Sequence, residues 1–203
     1  MQYEIKQVDK FRFIEEGEGQ PLVLLHGLFG ALSNFVDLVE YFKKHYKVVV
    51  PMLPLFDLDI LHTSVGGLAK FVNRFIEVRN YRNVHLLGNS LGGHVALIYV
   101  LKNPERIRSI ILTGSSGLFE SAMGDTYPKR GDYDYIKKKT ELTFYDPNIA
   151  SKELVDEVYE IINNRIKAIK IIALAKSAIR NNLGEELNQI KQPALLIWGN
   201  NDS

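Results

Sequence analysis

The chain of 203 residues is long enough for one compact core, and its 46% hydrophobic and 24% charged residues are ordinary proportions for a globular protein. The formal net charge of +1 excludes a global electrostatic field that would recruit nucleic acid or an anionic membrane. The absence of cysteine excludes a disulfide framework and any metal site built on cysteine, and it fits a reducing compartment.

The N-terminal part of the chain is predicted to alternate strands with amphipathic helices. Apolar runs predict strands at 3–8, 11–14, 21–25 and 46–50. Ser33 and Ser64 are predicted N-caps of two helices, because apolar residues recur at helical spacing after each of them. No apolar stretch approaches bilayer-spanning length and the N-terminus has no apolar signal core, so we predict a cytoplasmic protein.

A Gly-Asn-Ser-Leu-Gly sequence at 88–92 lies between a short apolar run and a helical pattern. The run at 83–87 predicts a buried strand, and the pattern at 93–101 predicts a buried helix. A serine at such a strand-to-helix corner is held at a sharp, strained turn with its hydroxyl exposed. Glycines two positions to either side let the strand and the helix pass close to the turn. Ser90 is therefore the candidate nucleophile.

The strand pattern returns twice in the second half of the chain. Strands are predicted at 107–112, before a Gly-Ser-Ser-Gly hinge, and at 194–198, before a turn-rich Gly-Asn-Asn-Asp sequence. Because continuously apolar strands alternate with helices, we predict a mainly parallel sheet covered by helices on both faces. Ligands of such sheets bind beyond the carboxyl ends of the strands, and His26, Ser90 and Asp202 all follow strands at that edge.

Between these two strands the pattern is helical. One helix is predicted at 133–143, and a longer one is capped by Ser151 and continues as an apolar stripe to Ile169. The sequence at 181–184 ends the helices. The lysines at 137–139 are interpreted as a solvated helix face.

The serine turn, the early His-Gly turn and the late aspartate turn together resemble the alpha/beta hydrolase family. In the family, a turn similar to His26-Gly27 supplies one oxyanion-hole amide, and a turn similar to Gly199-Asn200-Asn201-Asp202 carries the acid of the catalytic triad. The resemblance implies a mainly parallel, doubly wound sheet with an inserted helical cap. It implies a core at residues 1–116 and 191–203 and a cap at 117–190.

The resemblance also implies a mechanism. Ser90 would attack a carbonyl carbon, and the backbone N–H groups of Leu28 and Leu91 would hold the oxyanion. Asp202 would orient a histidine that removes the serine proton. Taken alone, Asp202 is better interpreted as an ordinary turn aspartate, but its position after the apolar strand that ends at Trp198 favours the catalytic role.

The histidine of the family follows the acid, whereas none of the five histidines of this chain follows Asp202. We therefore expect a longer hydrolase whose catalytic histidine, last strand and closing helix lie beyond Ser203. We also expect the 203-residue chain by itself to be inactive or weakly active. A ligand-binding protein that has lost its base, or completion by another chain, are the alternatives. His26, His85 and His94 are interpreted as structural.

Three further residues are substrate-binding candidates. Phe29 and Asn89 flank the two turns, although each is also interpretable as a packed or hydrogen-bonded turn residue. The Asn163-Asn164-Arg165 sequence resembles the place where C–C bond hydrolases of meta-cleavage pathways keep an arginine for a substrate carboxylate. The alternative for Arg165 is a surface arginine on a helix.

The interpretation favoured by the sequence is a capped serine hydrolase that cleaves a small apolar carboxylic ester through an acyl-enzyme on Ser90. Hydrolysis of a C–C bond in a vinylogous diketone is the enzymatic alternative, and a non-catalytic ligand-binding protein of the same fold is the other. No metal or organic cofactor is implied. The expected partner is a small-molecule substrate, with no nucleic acid and no membrane.

Overall fold

The computed structural model describes residues 3–29, 32–118 and 129–201, without the side chains of Leu32 and Ser33. Asp202 lies outside the described residues, so the acid predicted from the sequence has no structural description. Within the described ranges, the chain forms one seven-stranded sheet. Its strands are β1 Lys6–Val8, β2 Phe11–Glu16, β3 Pro21–Leu25, β4 Lys47–Pro51, β5 Val84–Asn89, β6 Ile107–Thr113 and β7 Ala194–Ile197.

The sheet is mainly parallel, as the sequence predicts. The strand order is β1-β2-β4-β3-β5-β6-β7, and the pairs β1–β2 and β2–β4 are antiparallel while the other four pairs are parallel. The carboxyl ends of β3, β5, β6 and β7 therefore meet at one edge. This edge brings together turns that are far apart in the sequence.

Helices cover both faces of the sheet because the central strands are apolar on both sides. The helices are α1 Val36–Phe42, α2 Val65–Val78, α3 Leu91–Lys102, α4 Tyr133–Glu141, α5 Lys152–Asn163 and α6 Arg165–Arg180. In β3, Val23 and Leu25 pack into the cluster under α2 and α3, while Leu22 and Leu24 pack into the cluster under α1. Side chains that alternate between the two faces of this one buried strand thus contribute to two separate cores.

Of the three predicted helix N-caps, two are confirmed and one is wrong. Ser64 caps α2 by accepting the Gly67 N–H at 2.9 Å, and Ser151 caps α5. Ser33 does not cap α1, because a 3₁₀ turn at Leu32–Phe35 precedes that helix and Phe35 occupies the N-cap position.

The long helix predicted after Ser151 is in fact two helices. Asn164 leaves the helical conformation with φ −74° and ψ 112°, and its side chain accepts the N–H groups of Ile166 and Lys167. The asparagine therefore ends α5 and caps α6. The apolar stripe continues across this break, and that continuity produced the wrong prediction.

The three helices after β6 belong to two different cores. Ile136 of α4 packs with Val158 and Ile162 of α5 in a small separate cluster. Leu174 and Ala178 of α6 instead join the main core beside α2. The division into a core and a cap at 117–190 stays a prediction.

The lengths and hydropathies of the helices bear on whether the chain could cross a membrane. Within the ranges that the structure describes, no helix has the length and hydropathy to cross a bilayer.

Candidate active site

Ser90 occupies the corner between β5 and α3 in a strained backbone conformation. Its φ of 52° and ψ of −121° lie in a region that residues with a side chain rarely adopt. The turn is held from both sides, because the Ser90 N–H donates to the Thr113 carbonyl at 3.1 Å and the Ser90 carbonyl accepts the Gly93 N–H at 2.9 Å. The side chain is exposed, as expected for a nucleophile at such a corner.

The glycines around Ser90 are required by close approach of backbone to backbone. A Cβ on Gly88 would lie 2.5 Å from the Gly93 Cα, and a Cβ on Gly92 would collide with the Leu25 carbonyl of β3. A Cβ on Gly27 would lie 3.2 Å from the Ser90 Cβ. The His-Gly turn therefore lies directly against the serine.

His26 holds the turn next to the serine and is buried. Its Nε2 accepts the Leu53 N–H at 3.1 Å, so the proton must reside on Nδ1, which donates to the Gly27 carbonyl at 2.9 Å. Burial lowers the pKa of His26, and the hydrogen bond to Gly27 opposes this effect. The neutral ring therefore serves as a brace, as the sequence predicts.

The two amides predicted to form an oxyanion hole are close to the serine. Leu91 is the first residue of α3, so its N–H has no acceptor inside the helix. Leu28 follows Gly27 and lines the same cleft as Ser90. Across the described ranges, neither amide donates to another backbone carbonyl. Both are therefore available to an oxygen atom of a ligand.

The other histidines are engaged elsewhere. His94 is fully buried in α3 and its Nε2 lies 2.8 Å from the Asn181 carbonyl, while the Nδ1 of His85 lies 2.7 Å from the Ser109 hydroxyl. His62 pairs with Asp59 on the surface, and His45 is exposed. The structure describes all five histidines, and none of them lines the cleft that contains Ser90.

Ser90 opens into a cleft of about 1610 Å³ between the carboxyl edge of the sheet and the helices α4 and α5. Gly199, Asn200 and Asn201 line it too, so the turn that leads to Asp202 reaches the same rim as the serine. The part of the described lining that lies between β6 and β7 in the sequence, apart from Gly114, consists of Tyr135, Ile136, Lys139, Thr140, Leu142, Thr143, Phe144, Tyr145, Leu154, Val158 and Ile162.

The predicted substrate-binding residues are in different positions. Phe29 lines the cleft with 36% of its surface exposed, and Asn89 lines it as well. The Asn89 amide is already committed, because it donates to the backbone carbonyl and the hydroxyl of Thr113 at 3.1 and 3.0 Å. Arg165 is exposed at the start of α6 and is absent from the described lining of the cleft. The geometry gives no support to a carboxylate site at Arg165.

Sequence reasoning missed the side chains that α4 contributes to the cleft. Tyr135 and Lys139 are four residues apart and so lie on one face of the helix, together with Ile136 and Thr140. All three lysines of the run are exposed, which confirms the interpretation of a solvated face, and Lys139 also lines the open cleft. Lys139 follows the buried Ile136 by three residues, and this helical spacing is the signal that would have placed Lys139, but not Lys137 or Lys138, on the same helix face as Ile136.

Comparison with known proteins settles the family. The sequence-family model for the alpha/beta hydrolase fold matches residues 20–148 of this chain. These residues include the His-Gly turn and the Ser90 corner. The chain belongs to the alpha/beta hydrolase family. The mainly parallel sheet flanked by helices is the fold expected of this family, and it confirms the resemblance seen in the sequence.

Individual relatives of this hydrolase carry out different reactions. A solved structure of MGS-MChE2, an alpha/beta hydrolase enzyme from the metagenome of lagoon sediments at Mar Chica, Morocco, is 42% identical with a TM-score of 0.78 over 98% of this chain and 76% of that chain. The 2-hydroxy-6-oxononadienedioate/2-hydroxy-6-oxononatrienedioate hydrolase of Comamonas testosteroni is 27% identical over 93% of this chain and 73% of its own length. Monoacylglycerol lipase abhd6-B of Xenopus laevis is 25% identical over 100% of this chain and 68% of its own length.

Proposed function

We propose that this hydrolase cleaves a small carboxylic ester through an acyl-enzyme on Ser90. The observation that carries the proposal is the strained, exposed Ser90 between two available amides at the open edge of the sheet. Strain of this kind costs about 1–3 kcal/mol and persists where the surrounding structure enforces it. The cleft in front of Ser90 is concave and lined by both apolar and polar side chains, as small-molecule sites are.

In the proposed mechanism, the Ser90 oxygen attacks the ester carbonyl carbon as its proton passes to a histidine. The negative charge that develops on the carbonyl oxygen is stabilised by the N–H groups of Leu28 and Leu91. Collapse of the tetrahedral intermediate releases the alcohol, and water then hydrolyses the acyl-enzyme. Because the two amides are fixed by the Gly27 turn and the start of α3, no reorganisation is needed when the charge appears.

We propose that the base is a histidine oriented by Asp202, and we assign none of the five histidines of residues 1–203 to this role. This assignment is supported by the hydrogen bonds that the histidines within the chain already make. His26 is locked in one tautomer by two backbone groups, and the ring of His94 is buried against Asn181.

Hydrolysis of a C–C bond is the second candidate. The similarity to the Comamonas testosteroni dienedioate hydrolase favours it, because the two sequences align over 93% of this chain. The same oxyanion site would serve either reaction. A p-nitrophenyl ester series compared with a vinylogous diketone acid ranks the two chemistries by kcat/KM.

The nucleophile is tested by labelling the full-length protein with a fluorophosphonate probe. We expect labelling of the wild type and of Ser116→Ala, and no labelling of Ser90→Ala. Ester turnover should fall on the order of 10⁴-fold or more in Ser90→Ala. Equal labelling of wild type and Ser90→Ala would refute the assignment.

A further inference from the structure

We infer that the cleft recognises a substrate with one carboxylate group, bound by Lys139 on the cap side. The inference builds on the proposed ester hydrolysis and names its substrate class, namely esters that carry a free carboxylate at the end remote from the scissile bond. Among the described residues that line the cleft, Lys139 is the only charged one. The other described lining residues are neutral, so this one cation favours an anionic group on the ligand.

Helix α4 separates Lys139 from the two lysines that precede it. Lys139 lies one turn after Tyr135 and shares the cleft face with Ile136 and Thr140. Lys137 forms a 3.8 Å ion pair with Glu141, and both are absent from the described lining, as is Lys138. The three consecutive lysines therefore have different surroundings, and only the third faces the cleft.

No carboxylate of the described chain neutralises Lys139. The Asp132 carboxylate accepts the Tyr135 N–H as the N-cap of α4, and Asp156 is paired with Lys152. The Lys139 Nζ lies 5.9 Å from the centroid of the Tyr135 ring. The Lys129 Nζ lies 5.3 Å from the same centroid, but Lys129 is outside the described lining of the cleft. The positive potential at this wall has no internal counterion within the described ranges.

The neighbouring hydroxyl groups leave an anion few other donors. The Thr140 hydroxyl donates to the Ile136 carbonyl at 2.9 Å, and the Thr143 hydroxyl donates to the Thr140 carbonyl at 2.6 Å. Both protons are used in local bonds to backbone carbonyls of α4. Lys139 is therefore the charged donor available to an anion among the described residues of this wall.

A carboxylate fits this wall better than a phosphate monoester. The described lining holds one ammonium group, which balances one negative charge, whereas a dianionic phosphate would keep an uncompensated charge beside apolar side chains such as Leu154 and Val158. These apolar side chains suit the methylene chain of a dicarboxylic acid half-ester.

The test compares monomethyl adipate with dimethyl adipate on the full-length protein. We expect Lys139→Met to lower kcat/KM for the monoester about tenfold and to leave the diester within twofold, because the substitution keeps a flexible unbranched side chain and removes the charge. Lys138→Met, on the same helix but outside the cleft lining, should change neither value. Equal effects of Lys139→Met on both esters, or equal effects of the two variants on the monoester, would overturn the inference.

Binding measurements separate this inference from the proposed reaction. In a Ser90→Ala background, calorimetry should give a Kd for monomethyl adipate that rises about tenfold with Lys139→Met and is unaffected by Lys138→Met. If neither ester is hydrolysed but this difference in binding is found, the carboxylate site stands and the ester proposal falls. If both esters are hydrolysed at the same rate with or without Lys139, the carboxylate site falls and the ester proposal stands.

Discussion

Ser90 adopts a strained backbone conformation, and this conformation is held by the hydrogen bonds of the turn. A φ of 52° places the residue where a Cβ is disfavoured, and the turn is nevertheless held by hydrogen bonds to Thr113 and Gly93. The fold therefore accepts a local cost at the one position where the proposed chemistry needs an exposed hydroxyl.

We predict that Ser90→Gly is more stable than Ser90→Ala by roughly 1 kcal/mol, because glycine relieves the backbone strain. Equilibrium unfolding in urea measures the difference. At Ser177, inside α6, the order should reverse, since glycine in a regular helix costs about 1 kcal/mol relative to alanine. The same order at both positions would contradict the strain argument.

At the scale of elements, the contact between α3 and β3 sets the position of the serine turn. Gly92 has no space for a Cβ because the Leu25 carbonyl fills it, whereas a Cβ on Gly66 of α2 would find only the Ser64 hydroxyl oxygen, at 4.0 Å. Helix α3, which carries the proposed oxyanion amide of Leu91, can therefore pack this closely on the sheet only because Gly92 has no side chain.

Substitution of these two glycines should have opposite effects. We predict that Gly92→Ala lowers the free energy of unfolding by roughly 2–3 kcal/mol through overpacking. Gly66→Ala should raise it by about 0.5 kcal/mol, because alanine reduces the entropy of the unfolded chain. Urea denaturation provides both values, and a neutral Gly92→Ala would show that α3 can shift without loss.

Asn164 is the second element-scale feature, because it divides one apolar stripe into two helices. We predict that Asn164→Ala lowers the free energy of unfolding by about 1 kcal/mol, since the N–H groups of Ile166 and Lys167 lose their acceptor. Asn164→Asp should retain most of the stability. The exposed Asn188→Ala provides the control, and an equal loss there would argue against a capping role.

At the scale of the whole molecule, His26 couples the stability of the fold to pH. Burial lowers the pKa of His26 from its usual value of 6.5, so the unfolded chain binds the proton more readily than the folded one. The stabilisation contributed by the neutral ring is therefore complete above about pH 6.5 and is lost as the pH falls below that value.

We predict that the free energy of unfolding decreases between pH 7 and pH 5 more steeply in the wild type than in His26→Gln, whose side chain does not titrate. The difference arises because protonation of His26 removes the acceptor of the Leu53 N–H. Urea titrations at a series of pH values measure it, with the exposed His45→Gln as the control. Parallel pH profiles for wild type and His26→Gln would contradict the prediction.

Much of the sheet was predictable from the sequence, because buried parallel strands are continuous apolar runs with short connections. The Ser90 corner was equally predictable, since its glycines, strand and helix are all local in sequence. The break at Asn164 was not, because the apolar stripe runs through it and only the side chain of one asparagine decides the direction of the backbone. The position of Lys139 depends on how α4 packs over the sheet, which is a tertiary property.

The two ends of the segment that follows β6 meet beside α3. The Leu183 N–H donates to the Gly117 carbonyl at 2.9 Å, and the His94 ring contacts the chain at both Gly117 and Asn181. A segment whose entrance and exit are neighbours can be exchanged for one of another length without stretching the strands it connects. The Ser90 turn could therefore be kept while this segment is exchanged, provided that the replacement supplies the contacts that Leu174 and Ala178 of α6 make with the main core.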